Sequence, residues 1–166
     1  MKKLFLTLAL AFVGIMSANA QLWIGGSADA GINKDETAFL LAPELGYSFK
    51  GTPLTIAAEV DYYFEKSKYD DEADHLLILK PYLRCNLTTI EKFSLFLDLT
   101  GDFGVVGENG YAISLRPGVA WMATKHWTAA FRFAFAQYDH GLYHGDYGFY
   151  LEGATLAPQF GIYYNF

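Results

Sequence analysis

The chain has 166 residues, of which 52% are hydrophobic, 17% aromatic and 18% charged, with a formal net charge of −6. That acidic balance argues against a nucleic-acid binder, whose footprint is a basic patch. The single cysteine, Cys85, excludes an intramolecular disulfide. Beyond the N-terminal segment no apolar run reaches the ~18–20 residues of a spanning helix, so the hydrophobic residues must be spread over shorter elements.

Lys2 and Lys3 form a basic head, Leu4 to Met16 an apolar run, and Ala18-Asn19-Ala20 an A-x-A cleavage site. This is the pattern of a secretory signal peptide over residues 1–20, with a single mature domain over 21–166. Cleavage removes Lys2 and Lys3 and leaves 10 basic against 18 acidic residues.

Eight segments then carry a two-residue alternation at the ~9–11-residue length of a tilted membrane strand. The first, Gln21 to Ala30, is weakened by Gly25 and Gly26. In the second, Phe39, Leu41, Pro43, Leu45, Tyr47 and Phe49 alternate with Leu40, Ala42, Glu44, Gly46 and Ser48. The third sets Leu54, Ile56, Ala58, Val60, Tyr62 and Phe64 against Thr55, Ala57, Glu59, Asp61, Tyr63 and Glu65. The fourth sets Leu77, Leu79, Pro81, Leu83, Cys85 and Leu87 against Ile78, Lys80, Tyr82, Arg84 and Asn86.

In the fifth, Phe93, Leu95, Leu97, Leu99 and Phe103 oppose Ser94, Phe96, Asp98, Thr100 and Asp102. The sixth opposes Tyr111, Ile113, Leu115, Pro117, Val119 and Trp121 to Ala112, Ser114, Arg116, Gly118 and Ala120. The seventh opposes Trp127, Ala129, Phe131, Phe133 and Phe135 to Thr128, Ala130, Arg132, Ala134 and Ala136. The eighth, Phe149 to Phe166, ends with Phe160, Ile162, Tyr164 and Phe166 on one face.

Tight turns are expected at Lys50 to Pro53, Thr88 to Lys92 and Thr124 to His126. Longer polar connections are expected at Ile32 to Thr37, Lys66 to Asp74, Val105 to Gly110 and Asp139 to Gly148. Short periplasmic turns alternating with longer extracellular loops are usual in outer-membrane barrels.

A soluble calyx also alternates, with its apolar face inside. Here the polar faces are mainly alanine, glycine, serine and threonine, which suits the tight interior of an eight-stranded barrel. Large aromatic residues such as Tyr47, Tyr62, Phe93, Trp121, Trp127 and Tyr164 fall near strand ends, as in the aromatic girdles of membrane barrels. Lys80, Arg84, Arg116 and Arg132 would each cost ~2–4 kcal/mol facing lipid at the midplane. Placed inside, they can pair with Glu44, Glu59, Asp61, Asp98 and Asp102 on neighbouring strands. The expected fold is therefore an all-β, eight-stranded antiparallel up-and-down transmembrane barrel with a side-chain-filled polar lumen. The charges serve packing and register; a narrow path for small ions is the alternative.

Four phrases stand at matching places in successive hairpins: Leu41-Ala42-Pro43-Glu44-Leu45-Gly46-Tyr47, Lys80-Pro81-Tyr82-Leu83-Arg84, Phe93 to Asp98, and Leu115-Arg116-Pro117-Gly118-Val119-Ala120-Trp121. They resemble the outer-membrane β-barrel family of the OmpX/OmpA-like type common in Bacteroides and its relatives. Cys85 after Arg84, and Trp121 where tyrosine is usual, depart from that pattern. The resemblance implies insertion by the barrel-assembly machinery, which reads the C-terminal strand with Phe160, Ile162, Tyr164 and Phe166. It implies no specific activity.

Chemistry-bearing residues are few. His140 and His144, flanked by Asp139 and Asp146, have donor types that suit zinc or copper, but their four-residue spacing is a helical device in a glycine-containing loop. Ser67 with His75 is the one serine–histidine pairing that loop geometry allows for a lipid A-modifying enzyme, and no diagnostic motif surrounds it. Asn86-Leu87-Thr88 matches a glycosylation sequon at a strand end. The sequence thus leads to a monomeric cell outer-membrane protein without enzymatic chemistry, cofactor or metal. Its expected partners are outer-membrane lipid and lipopolysaccharide, the assembly machinery, and an extracellular ligand through the loops.

Overall fold

In the computed structural model the described residues are 20–32, 36–67, 74–107, 110–132, 136–143, 147–151 and 159–166. They form ten strands: β1 (Ala20–Ile32), β2 (Glu36–Phe49), β3 (Leu54–Ser67), β4 (Asp74–Ile90), β5 (Phe93–Val106), β6 (Tyr111–Met122), β7 (Trp127–Arg132), β8 (Ala136–His140), β9 (Tyr147–Leu151) and β10 (Gln159–Asn165). Among the described residues there is no helix. β7 and β8 lie end to end along β6, while β9 pairs with β8 and β10 with β7, so ten strands make eight staves. Sequential antiparallel pairing runs from β1 to β6, and β10 pairs with β1. The result is a closed eight-stranded antiparallel β-barrel. Closure satisfies the backbone donors and acceptors that an open sheet leaves along its edges.

The alternation decides the facing of each residue. Along β5 the side chains are buried at Ser94, Phe96, Asp98, Thr100 and Asp102, while Phe93, Leu95, Leu99 and Phe103 are exposed. The polar faces of the other strands turn inward in the same way up to Arg132, and among the described residues 31 large apolar or aromatic side chains remain exposed. Tyr47 is an exception to the expected girdle. It is only 7% exposed, because it packs edge-on against Phe49 with ring centroids 5.1 Å apart, between Leu22 and Ile56 on the ladder.

Two further departures come from backbone irregularity. The connection expected at Thr88 to Lys92 is tighter, since β4 runs to Ile90 and the turn is Glu91-Lys92, with Glu91 in the left-handed region at φ 54°. A register shift between Asn86 and Thr88 precedes it. In the seventh stave the inward parity changes: Arg132 faces inward opposite Gly118, but Gln137 faces inward opposite Ser114. The pairing register therefore slips by one residue between β7 and β8, as a bulge does. Ala136, expected on the inward face, lies on the other, and Asp139 is turned inside with no exposure.

Glycine permits one close packing that the lumen needs. Trp23 sits directly opposite Gly46, and a Cβ at Gly46 would stand 2.0 Å from the indole Cζ2. The ring lies over the glycine and meets Tyr163 edge-on at 5.0 Å. Such aromatic cover compensates the missing side chain of a strand glycine.

Candidate functional site: the polar layer of the lumen

Two apolar plugs enclose a charged layer. Toward the tight turns, Trp23, Ala57, Tyr82, Phe96, Ala120, Ala130 and Tyr163 pack together. Toward the long connections, Ile78, Ala112 and Leu142 do so, with Tyr63 and Leu76 beside them. The buried side chains also include six carboxylates (Glu44, Glu59, Asp61, Asp98, Asp102, Asp139) and four cations (Lys80, Arg84, Arg116, Arg132).

The register arranges these charges. Arg84, Asp98 and Arg116 are successive cross-strand partners on β4, β5 and β6, so opposite signs face each other. Arg84 grips Asp98 with two parallel hydrogen bonds of 2.7 and 2.8 Å, the bidentate geometry that makes such pairs strong. Its guanidinium also stacks on the Phe96 ring at 3.8 Å.

One row up, Glu44 and Glu59 are directly opposite on β2 and β3. Like charges in that position repel, and the pair demands a cation. Lys80 stands opposite Glu59 but only at 4.0 Å, and its closer partner is Asp61 at 2.5 Å. Arg132 supplies the charge from β7, across the lumen. Its Nη2 bonds to Glu44 and, at 2.8 Å, to Glu59, while its Nη1 lies 3.5 Å from Asp98. Tyr82 and Tyr163 donate to Glu44 at 2.7 and 3.0 Å. Arg116 approaches Glu59 at 3.7 Å and donates to Gln159 at 3.4 Å.

The nine charged residues singled out from the sequence thus all lie inside, but their pairing is not confined to neighbouring strands. Asp102 accepts a hydrogen bond of 2.8 Å from Tyr143. Tyr82, Phe96 and Tyr163 were not among the expected participants. Their signal was available: they are large rings on faces otherwise made of small residues. Asp139 could not be placed without the register slip. It caps the turn after β8 by accepting from the backbone N–H of Leu142 and Tyr143, both at 3.0 Å. That turn brings Leu142 into the loop-end plug and Tyr143 onto Asp102. Burial of its hydroxyl end, and then the Asp102 carboxylate, keep the Tyr143 phenol above its usual range despite opposition from Lys80, so it remains a donor.

The other candidates are dispersed. His140 belongs to β8 rather than to a loop, with its ring stacked on Tyr111 at 4.6 Å and against Tyr147 at 4.2 Å. His144 and Asp146 lie outside the described residues. Among the described residues no three histidine, cysteine, aspartate or glutamate side chains come together as a metal site would require. His75 lies on β4 opposite Phe64, and its Nδ1 is engaged by the Tyr62 hydroxyl at 2.7 Å. Ser67 ends β3, paired with Glu36, and its side chain lies outside the described residues. Phe160, Ile162 and Phe166 are exposed on the outer face of the last stave, with Tyr164 half-buried between Trp127 and Phe166. No protein-family model and no curated protein matches the chain.

Proposed function

We propose that this chain is a small integral outer-membrane β-barrel protein of the OmpX/OmpA-like type, with a structural or surface-interaction role and no catalytic chemistry. The observation that carries the reading is the inverted burial. Charged side chains fill the interior while isoleucine, leucine, phenylalanine and tryptophan cover the outside of every stave. The largest exposed apolar patch on a soluble monomer is ~300–600 Å²; here the apolar surface is a continuous belt.

The height of the belt supports the same reading. Phe93 and Phe103 mark its two aromatic edges on β5. Ten residue steps of about 3.4 Å, tilted by about 40°, rise roughly 25 Å, the height of a membrane barrel's apolar band. Phe93 faces Trp121 at one edge, and Phe103 faces Tyr111 at the other.

In this reading residues 1–20 direct export, and the assembly machinery recognises the last strand through Phe160, Ile162, Tyr164 and Phe166. The barrel sits as a monomer among outer-membrane lipid and lipopolysaccharide, and the long connections meet an extracellular ligand. The lumen network holds the staves in register. The plugged interior favours a scaffold over the alternative of a narrow ion path.

The test is heat-modifiability. The mature chain is refolded into detergent micelles and run on a gel boiled and unboiled, with circular dichroism in parallel. A faster unboiled band with a β-rich spectrum is the expected result. A chain that folds equally well without detergent would overturn the membrane reading in favour of a soluble calyx.

A further inference from the structure

Charge is distributed very unevenly along the barrel axis. The three tight turns, residues 50–53, 91–92 and 123–126, carry Lys50, Lys92 and Lys125 against one acid, Glu91. Among the described residues, the strand ends away from these turns carry Glu36, Glu65 and Asp74 against Lys66. The tight-turn end of the barrel is basic.

The basic end is built as a stiff ring. Pro53 accepts from the Asn86 N–H at 2.8 Å, Lys92 from Met122 at 2.8 Å, and His126 from Asn165 at 2.7 Å, so each turn is tied to the next pair of staves. Phe166 closes the circuit by donating to Leu22 at 3.0 Å. The side chains that bond one another on this rim are uncharged, such as Ser48 with Thr55 and Thr89 with Ser94. The three lysines are exposed, and none has an ion-pair partner among the described residues. They lie two staves apart, about 10 Å at the usual interstrand spacing, so they stand as three separate charges. The fourth quadrant is taken by the first and last strands.

The same rim is edged with the indoles a membrane interface favours. Trp121 and Trp127 are 46% and 49% exposed, on either side of the turn holding Lys125. Trp121 faces Phe93, the residue after Lys92. His126 stacks on Tyr164 at 5.5 Å next to Trp127.

We propose that this rim is a lipid-binding surface whose lysines gather the headgroups of anionic glycerophospholipids and so fix the tight-turn end in the leaflet that contains them. The proposal rests on the outer-membrane reading and adds a partner and an orientation to it. Charge complementarity identifies the headgroup, and continuity with the aromatic edge places the phosphates at lysine height. A basic residue at an anionic surface enriches its counterpart roughly fivefold, and added salt screens the attraction.

The exposed tryptophans report directly on their lipid neighbours. The refolded mature chain is placed in vesicles of phosphatidylcholine and phosphatidylglycerol at 4:1, with brominated chains on the same mole fraction of one lipid or the other. Bromine on phosphatidylglycerol should quench tryptophan emission at least about twofold more strongly at low salt. The difference should vanish at high salt and in Lys50→Gln/Lys92→Gln/Lys125→Gln, and survive in the matching arginine variant. Equal quenching by both lipids in the unaltered protein at low salt would overturn the proposal. So would a preference that salt leaves unchanged, which decides the matter even if the triple variant does not fold. Absence of quenching by either lipid would instead show that the barrel is not in the bilayer, and both readings would fall.

Discussion

Replacing Arg132 by methionine keeps most of the side-chain volume and removes the charge that holds the lumen together. Arg132 is 1% exposed and is the cation shared by Glu44 and Glu59, with Asp98 close by. Without it, the cations left to these two carboxylates, among the described residues, are Lys80 at 4.0 Å and Arg116 at 3.7 Å, both on Glu59. Breaking a buried ion pair from one side costs about 3–5 kcal/mol, because the remaining charge is neither solvated nor paired. With a urea slope of about 2 kcal/mol/M, the unfolding midpoint should fall by roughly 2 M. The assay is reversible urea unfolding in micelles, followed by tryptophan fluorescence and by the unboiled gel band. Arg132→Met/Glu44→Gln should recover most of the loss, since it removes one of the like charges together with the shared cation and leaves Glu59 to Arg116 and Lys80. A loss below about 1 kcal/mol, the range of solvent-exposed pairs, would refute the buried network. A double variant no better than the single one would assign the effect to packing rather than charge.

Three other outcomes are expected from the same geometry. Gly46→Ala forces a methyl into the Trp23 ring, with its Cβ 2.0 Å from Cζ2, and should cost about 1–3 kcal/mol of stability by urea titration. Leu142→Ala, emptying the loop-end plug beside Ile78 and Ala112, should cost about 2–3 kcal/mol. It should do so without changing the β-sheet spectrum, because the turn lies outside the barrel ladders. Cys85 is half-buried on the outer face between Leu54 and Leu97. In lipid vesicles it should resist a water-soluble maleimide until the protein is unfolded, and prompt labelling of the folded protein would place that face in water.

The alternation determined the staves and, up to Arg132, the inward set. A side-chain period of two leaves each residue only two directions, and Lys80, Arg84, Arg116 and Arg132 all share a parity with the small residues on their strands. The eight alternating segments led to the expectation of a barrel of eight staves. What local pattern could not supply was anything that depends on distance across the lumen or on an interrupted ladder. Arg132 and Glu44 are far apart in sequence and on non-adjacent staves, and only barrel closure brings them together. Asp139 and Ala136 changed faces because one extra residue in the seventh stave slips the register, and a slip of one inverts every side chain beyond it. Tyr47 left the expected girdle because its neighbours, Phe49, Leu22 and Ile56, cover it. Strand identity is a local property of the chain, whereas a partner across a closed lumen exists only once all eight staves are in place.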